Sequence, residues 1–304
     1  MTALNQSRHP FRPVRHGLWS RLAPPCQASN CPHNGHYWPL MRAAKRKILL
    51  QGLRYCVDPC LEIALRQVLA EVCRVPVHVA VRHRVPLGLL LVSRQQLTGG
   101  QLRAALAAQQ EAGHGRIGEW LQRLGYASEE QITAALARQW SCPVLRTEAI
   151  RPRGRRVPAI PLTLMRWIKM IPVDFVEPAQ TLHLAFAEGL DYSVLYAIGQ
   201  MLNCRTEPCL LRPSVLQRYF EGLAEPRGQD EILFERLTDI AEFARIVVGY
   251  ALRASAAEIR LGTCGHHIWV RFIRLSRNPL DLIVREVHHL SHNPEQSLPV
   301  FAAV

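Results

Sequence analysis

The chain has 304 residues, 48% hydrophobic and 20% charged, with a formal charge of +13. That is room for two or three small domains with enough apolar matter for a core, which excludes a wholly disordered chain. No apolar run approaches the roughly 18–20 residues of a membrane helix, and the start lacks the apolar stretch of a signal peptide, so the sequence points to a cytoplasmic protein with no membrane span.

Residues 1–22 read as a flexible basic arm. Nine Lys/Arg fall within residues 1–57, and the first acidic residue is Asp58. Such a segment either meets nucleic acid or an anionic surface, or is simply solvated. Residues 23–84 hold a cysteine-rich module and a helix. Cys26-x4-Cys31 and Cys56-x3-Cys60 are separated by 24 residues. Two short cysteine pairs pre-place four soft ligands for one tetrahedral zinc, and a closed thiolate set is structural rather than catalytic. His33 and His36 are alternative ligands, and four reduced cysteines in a loose arm is the other reading. Neither spacing is the C-x-x-C of a redox motif. Leu61, Ala64, Leu65, Val68, Leu69 and Val72 then recur at helical spacing until Pro76.

Residues 86–139 contain a repeat at an offset of 30. Leu87, Gly88 and Leu91 map onto Ile117, Gly118 and Leu121, and Gln109 maps onto Gln139. Each unit reads as a short helix, a turn and a capped helix. Thr98-x-x-Gln101 and Ser128-x-x-Gln131 are capping boxes. Gly125 suits a left-handed turn residue. Gln95 stands at the equivalent place in the first unit, so that turn is expected to be built differently.

Residues 140–224 read as a small α/β layer. Strand text at 171–176 and 181–186 is followed by helical text at 193–202 and 214–223, and Arg151, Arg153, Arg155 and Arg156 crowd a Pro/Gly loop. Residues 225–230 read as a linker. The segment 231–304 reads as a helix over about 233–254, a β-hairpin from 258–261 and 267–273, and a loose tail. The fold class is therefore α+β: an amino-terminal zinc-stapled module, a helical tandem repeat, a small α/β layer, and a carboxy-terminal helix plus hairpin.

The second repeat unit, from Arg116-Ile117-Gly118 through Leu121 and Gly125 to Ile132, Leu136 and Gln139, resembles the amino-terminal domain of type II secretion and type IV pilus assembly ATPases, the GspE/MshE amino-terminal domain family. Val157-Pro158, Ile171-Pro172-Val173, Leu182–Phe186 and Asp191 continue the resemblance, which covers about residues 85–224. Ala257–Leu261 and Val270–Arg274 resemble, more weakly, the next segment of those ATPases. No G-x-x-x-x-G-K-[ST] occurs, so the phosphate cradle of an ATP motor is missing.

The resemblance implies contact with an inner-membrane secretion platform component. It also implies a cyclic di-GMP site at Leu87, Gly88, Leu91 and Gln109 of the first motif and Arg116, Ile117, Gly118, Leu121, Gly125 and Gln139 of the second. Pro86 replaces the first motif's arginine, so weak binding at most is expected. The resulting expectation is a non-enzymatic adapter or regulator of a secretion or pilus-like system. A cyclic di-GMP effector is the first alternative, and a zinc-dependent nucleic-acid binder using residues 1–57 is the second and less favoured.

Overall fold

The computed structural model describes residues 26–29, 31, 47–57, 59–74, 84–145, 157–223, 230–237, 239–275 and 277–286. The basic arm at 1–22, His33, His36, the arginine run at 151–156, residues 225–229 and the tail after 286 lie outside them. Among the described residues no helix is long and apolar enough to cross a membrane.

The repeat is four helices: α2 (Leu87–Ser93), α3 (Gly99–Ala112), α4 (Ile117–Arg123) and α5 (Glu129–Gln139). The first lies between α1 (Cys60–Arg74) and α3 in chain order. Both predicted capping boxes form. Thr98 accepts from the Gln101 amide and Ser128 from that of Gln131, and each glutamine reaches back to its cap. The two units exchange partners, α2 packing on α5 and α3 on α4. Leu91, Leu97, Ala105, Leu121, Ile132 and Ala135 form their shared core. Leu91 and Leu121 are fully enclosed, and each contributes about 2–3 kcal/mol by burial.

The first turn corrects the expectation for Gln95. It adopts φ 58°, matching the 69° of Gly125. Its amide bonds to the Val92 carbonyl, and the Gln96 amide to that of Leu91. The second unit repeats this with Gly125 to Gln122 and Tyr126 to Leu121. Both turns are built alike. A left-handed side chain is costly rather than forbidden, and the packed helices on either side hold it there.

The α/β layer carries α6 (Leu162–Ile168), β3 (Met170–Val176), β4 (Thr181–Phe186), α7 (Tyr192–Leu202), β5 (Arg205–Leu210) and α8 (Pro213–Glu221). Strands β3 and β4 are antiparallel, β4 and β5 parallel. Asp191 caps α7, its carboxylate accepting from the Ser193 amide and hydroxyl.

The remaining elements form one six-stranded sheet in the order β2-β1-β7-β8-β9-β6. Strands β1 (Lys47–Leu50) and β2 (Leu53–Cys56) are a hairpin over Gln51-Gly52, both with positive φ, the geometry of a tight two-residue turn. β1 then pairs parallel to β7 (Glu258–Cys264), with Leu49 opposite Glu258 and Leu50 opposite Ile259. β8 (His267–Ile273) and β9 (Leu280–Glu286) follow antiparallel, and β6 (Asp230–Arg236) closes the sheet in parallel with β9. The cysteine-rich segment and the carboxy-terminal segment thus share a sheet and a core, where the sequence had placed separate modules.

Two further readings are corrected here. Residues 230–236, read as linker end and helix start, are a strand, and the helix α9 (Ile240–Arg253) begins only after Asp239, which caps it. The expected hairpin is the centre of a larger sheet.

One face of that sheet is covered by α1 and α9, which bury Ile48, Leu50, Ile259, Val270, Phe272 and Leu282. The other face sends Cys264, Trp269 and Ile283 into the core of the α/β layer. There Arg271 makes a bidentate pair with Asp281, at 2.7 Å to each oxygen, and donates to the Ala159 carbonyl at 2.8 Å. Trp269 Nε1 donates to the same carboxylate at 2.8 Å. Glu231 of β6 accepts from the Leu162 and Thr163 amides, capping α6. These polar joints fix how the layer sits on the sheet.

Candidate functional site

Two predicted sites lie among the described residues. The first is the thiol cluster. Cys56 ends β2 and Cys60 begins α1, so the strand-to-helix turn sets that pair. Cys26 and Cys31 lie on a short turn tied to β2 by the Gln27 amide bonding to the Arg54 carbonyl at 2.8 Å. All four are buried and none is in a disulfide. The sulfurs of Cys26, Cys31 and Cys56 lie within 4.8 Å of one another, and Cys31 and Cys56 are 3.8 Å apart. Cys60 is buried beside them at the start of α1. Of the four cysteines read as one set, the structure brings Cys26, Cys31 and Cys56 together, and Cys60 lies outside that three-sulfur group.

A tetrahedral ion with metal–sulfur bonds of about 2.3 Å has sulfurs about 3.8 Å apart, against about 2.05 Å in a disulfide. The cluster is already near the first spacing. Burial, followed by the charge of Cys26, pushes the Cys56 thiol up to about 12, and burial also raises that of Cys60. An isolated thiolate is unfavourable in such a place, and a divalent cation is what offsets it. The Cys26/Cys31/Cys56 cluster could therefore hold a metal ion.

The second site is the repeat. Its named residues are largely committed to holding the repeat together. Leu87, Gly88, Leu91, Gly118 and Leu121 are buried. A Cβ on Gly88 would sit 2.5 Å from Leu102, and one on Gly118 would sit 3.3 Å from Ile132, so each glycine lets the second helix of its own unit approach. Gln109 donates to the Gly115 carbonyl at 2.8 Å, and Gln139 to that of Val85 at 2.7 Å. Residues 85 and 115 are one offset apart, so each unit's glutamine fastens the entrance of the other. Gly125 serves its turn, and Ile117 packs against the repeat core.

Arg116 differs from these. It keeps 63% of its side chain exposed. Its guanidinium donates to the Glu188 carbonyl at 2.6 Å and pairs with the Glu188 carboxylate at 3.3 Å.

Sequence reasoning missed a surface beside this site. Arg84 stacks 3.3 Å from the centroid of Trp140 and 5.9 Å from that of Tyr192. Val85, next to Arg84 in the chain, and Tyr192 are exposed, as are Leu89 and Tyr196, each four residues further along the same segment. The i,i+4 spacing of each pair was the signal available in the sequence.

What fold and sites define is an α+β scaffold with a tandem helical repeat and a buried thiol cluster. It is similar to a structure of MshE with cyclic di-GMP at 29% identity and a TM-score of 0.40, covering 45% of this chain and 98% of that one. It is also similar to the N-terminal domain of XpsE in two crystal forms, at 22% and 20% identity with TM-scores of 0.35 and 0.29, covering 44% of this chain and 91% of each. No family model matches the chain, and no curated protein does. These neighbours agree with the resemblance read from residues 85–224. With TM-scores below 0.5 they carry no argument of their own, so function is argued from this chain's residues.

Proposed function

We propose that the chain is a non-catalytic adapter or regulator of a type II secretion or pilus-like system, acting in the cytoplasm by protein–protein contact, with one structural zinc held by Cys26, Cys31, Cys56 and Cys60. The observation that carries this reading is how the repeat uses its side chains. Gln109 and Gln139 are spent on the Gly115 and Val85 carbonyls, and the glycines on Leu102 and Ile132. Solvent meets instead apolar and aromatic side chains at Val85, Leu89, Tyr192 and Tyr196, with Tyr196 71% exposed. Aromatic side chains with an arginine among them are the composition of protein-contact hot spots.

The test is capture by the immobilised cytoplasmic region of an inner-membrane secretion platform protein. The wild-type chain should bind, and Leu89→Ser/Tyr196→Ala should lose at least tenfold in affinity while keeping its melting temperature. No capture of the wild type, or equal capture of the variant, refutes the reading. Elemental analysis of protein purified without chelator should find about one zinc per chain.

The exposure of Arg116 favours a second reading, a cyclic di-GMP effector. Its guanidinium could exchange Glu188 for phosphate or a guanine edge. With Pro86 in the first arginine's place, one charged hydrogen-bond partner is lost, which costs about 1.5–3 kcal/mol, or ten- to a hundredfold in affinity. Calorimetry showing sub-micromolar binding abolished by Arg116→Ala would put this reading first.

A further inference from the structure

We propose that the cleft between β6 and α9 receives an extended acidic peptide, which adds to the six-stranded sheet as a seventh strand. This deepens the adapter reading and rests on it, naming a second contact surface and the chemistry of what fits there. β6 ends the sheet, and among the described residues no strand pairs with its outer edge. Its centre is Ile232-Leu233-Phe234, an apolar edge where soluble sheets usually place charge.

Between β6 and α9 run two adjoining clefts of about 460 and 510 Å3, which share Tyr250 and Arg253, the first also lined by Leu280 of β9. Their lining gives the alignment. Ile232 meets Arg253 and Ala254 in one, and Phe234 meets Arg245 and Ile246 in the other. α9 therefore runs antiparallel to β6 along a single groove. An exposed sheet edge with a groove beside it is the arrangement by which extended peptides are bound through strand addition.

The charge of the groove selects the peptide. Arg245 and Arg253 are exposed, and neither has an ion-pair partner among the described residues. Arg253 lies 4.5 Å over the Tyr250 ring. Arg274 lines the same end. Of the two acidic lining residues, Glu231 is committed to capping α6, which leaves Glu242 alone against the arginines. Eight residues of helix separate Arg245 from Arg253, about 12 Å. In a strand, two side chains on one face four residues apart are about 13 Å apart. The fitting peptide carries acids at i and i+4 with an apolar residue between them at i+2. Gly249 floors the groove. A Cβ there would meet nothing nearer than Arg253 Nη2 at 4.0 Å, so the groove is open at that point.

The test uses the full chain and a fluorescent peptide, acetyl-Thr-Glu-Thr-Val-Thr-Glu-Thr-amide, read by anisotropy. Saturable binding is expected. Replacing both Glu by Lys in the peptide should weaken it at least tenfold, as should Arg245→Ala/Arg253→Ala in the protein. Methylating alternate backbone nitrogens, which blocks one hydrogen-bonding edge but keeps every side chain, should abolish it. Gly249→Leu fills the groove from a helix position with room for a side chain, and should abolish binding at an unchanged melting temperature. Failure of the acidic peptide to bind overturns the proposal, as does equal binding of the methylated peptide or equal binding by Gly249→Leu. Concentration-dependent self-association lost in Gly249→Leu would give the groove to a second copy, and also overturns it. Capture by the platform region is measured on the same variants. The Leu89/Tyr196 surface is intact in them, so failure of this groove and failure of the adapter reading are told apart.

Discussion

The repeat and the six-stranded sheet solve the same problem in opposite ways. The repeat closes within about fifty residues, through capping boxes, a shared apolar core and two glutamine clasps. The sheet brings Leu50 beside Ile259 across more than two hundred residues, and β1 and β2 are only four residues long. Short strands paired at long range pay a large loop-closure entropy for few hydrogen bonds. The sheet accordingly carries the buried Arg271–Asp281 pair, and the thiol cluster at the end of β2 would add a second strong tie on binding a metal. Local sequence can hold a fold by many small terms, whereas distant segments need a few large ones.

The largest expected effect separates the two regions outright. Chelation, or Cys56→Ser, should destabilise the sheet by about 4–5 kcal/mol or more. Hydrogen exchange should show residues 47–56 losing protection while the repeat helices keep theirs. Simultaneous loss in both regions would mean that they unfold as one.

Next is the buried pair. Arg271→Met leaves the Asp281 carboxylate without its cation and should cost about 3–5 kcal/mol. Arg271→Met/Asp281→Leu should recover most of that, short of about 1 kcal/mol for the Trp269 hydrogen bond. Chemical denaturation of the three proteins gives the comparison, and a double variant no better than the single would show that the network matters for more than charge.

Within the repeat the expected effects shrink. Gly88→Ala should cost about 1–2 kcal/mol, because its Cβ would meet Leu102 at 2.5 Å. Gly118→Ala, with 3.3 Å to Ile132, should be near neutral, since alanine's helix propensity offsets the crowding. The smallest change is Gln95→Gly, which should stabilise by about 0.5 kcal/mol by relieving the left-handed side chain. Thermal melts read all three, and a loss of stability in Gln95→Gly would show that the glutamine side chain earns its place.

The same contrast explains what the sequence could reveal. The repeat was legible because its signals are local: hydroxyl and glutamine three residues apart, and one offset shared by every element. The grouping of Cys26, Cys31 and Cys56 was legible because short spacings suggest it, while the same spacing argument also drew in Cys60, which lies outside the three-sulfur group. The sheet was not, since nothing near residue 49 announces a partner near residue 258. β6 was misread because Leu233, Leu237, Ile240 and Ala244 mimic a helical stripe, although Asp239 interrupts it as a cap. The turn at Gln95 was misread by taking a preference for glycine as a requirement. The Val85/Tyr196 surface needs two segments a hundred residues apart, and only folding brings them together.

The parallel pairing of β1 with β7 also fixes how the molecule bears load. The hairpin before the repeat and the strands after the α/β layer meet in one sheet, with the whole stretch from 84 to 223 lying between them in the chain. Tension applied at Lys47 and Glu286 is borne by the sheet, in shear, and reaches the repeat only after β1 lets go of β7. A pull on this scaffold is therefore first felt at the two residue pairs Leu49/Glu258 and Leu50/Ile259, with the thiol cluster one strand away.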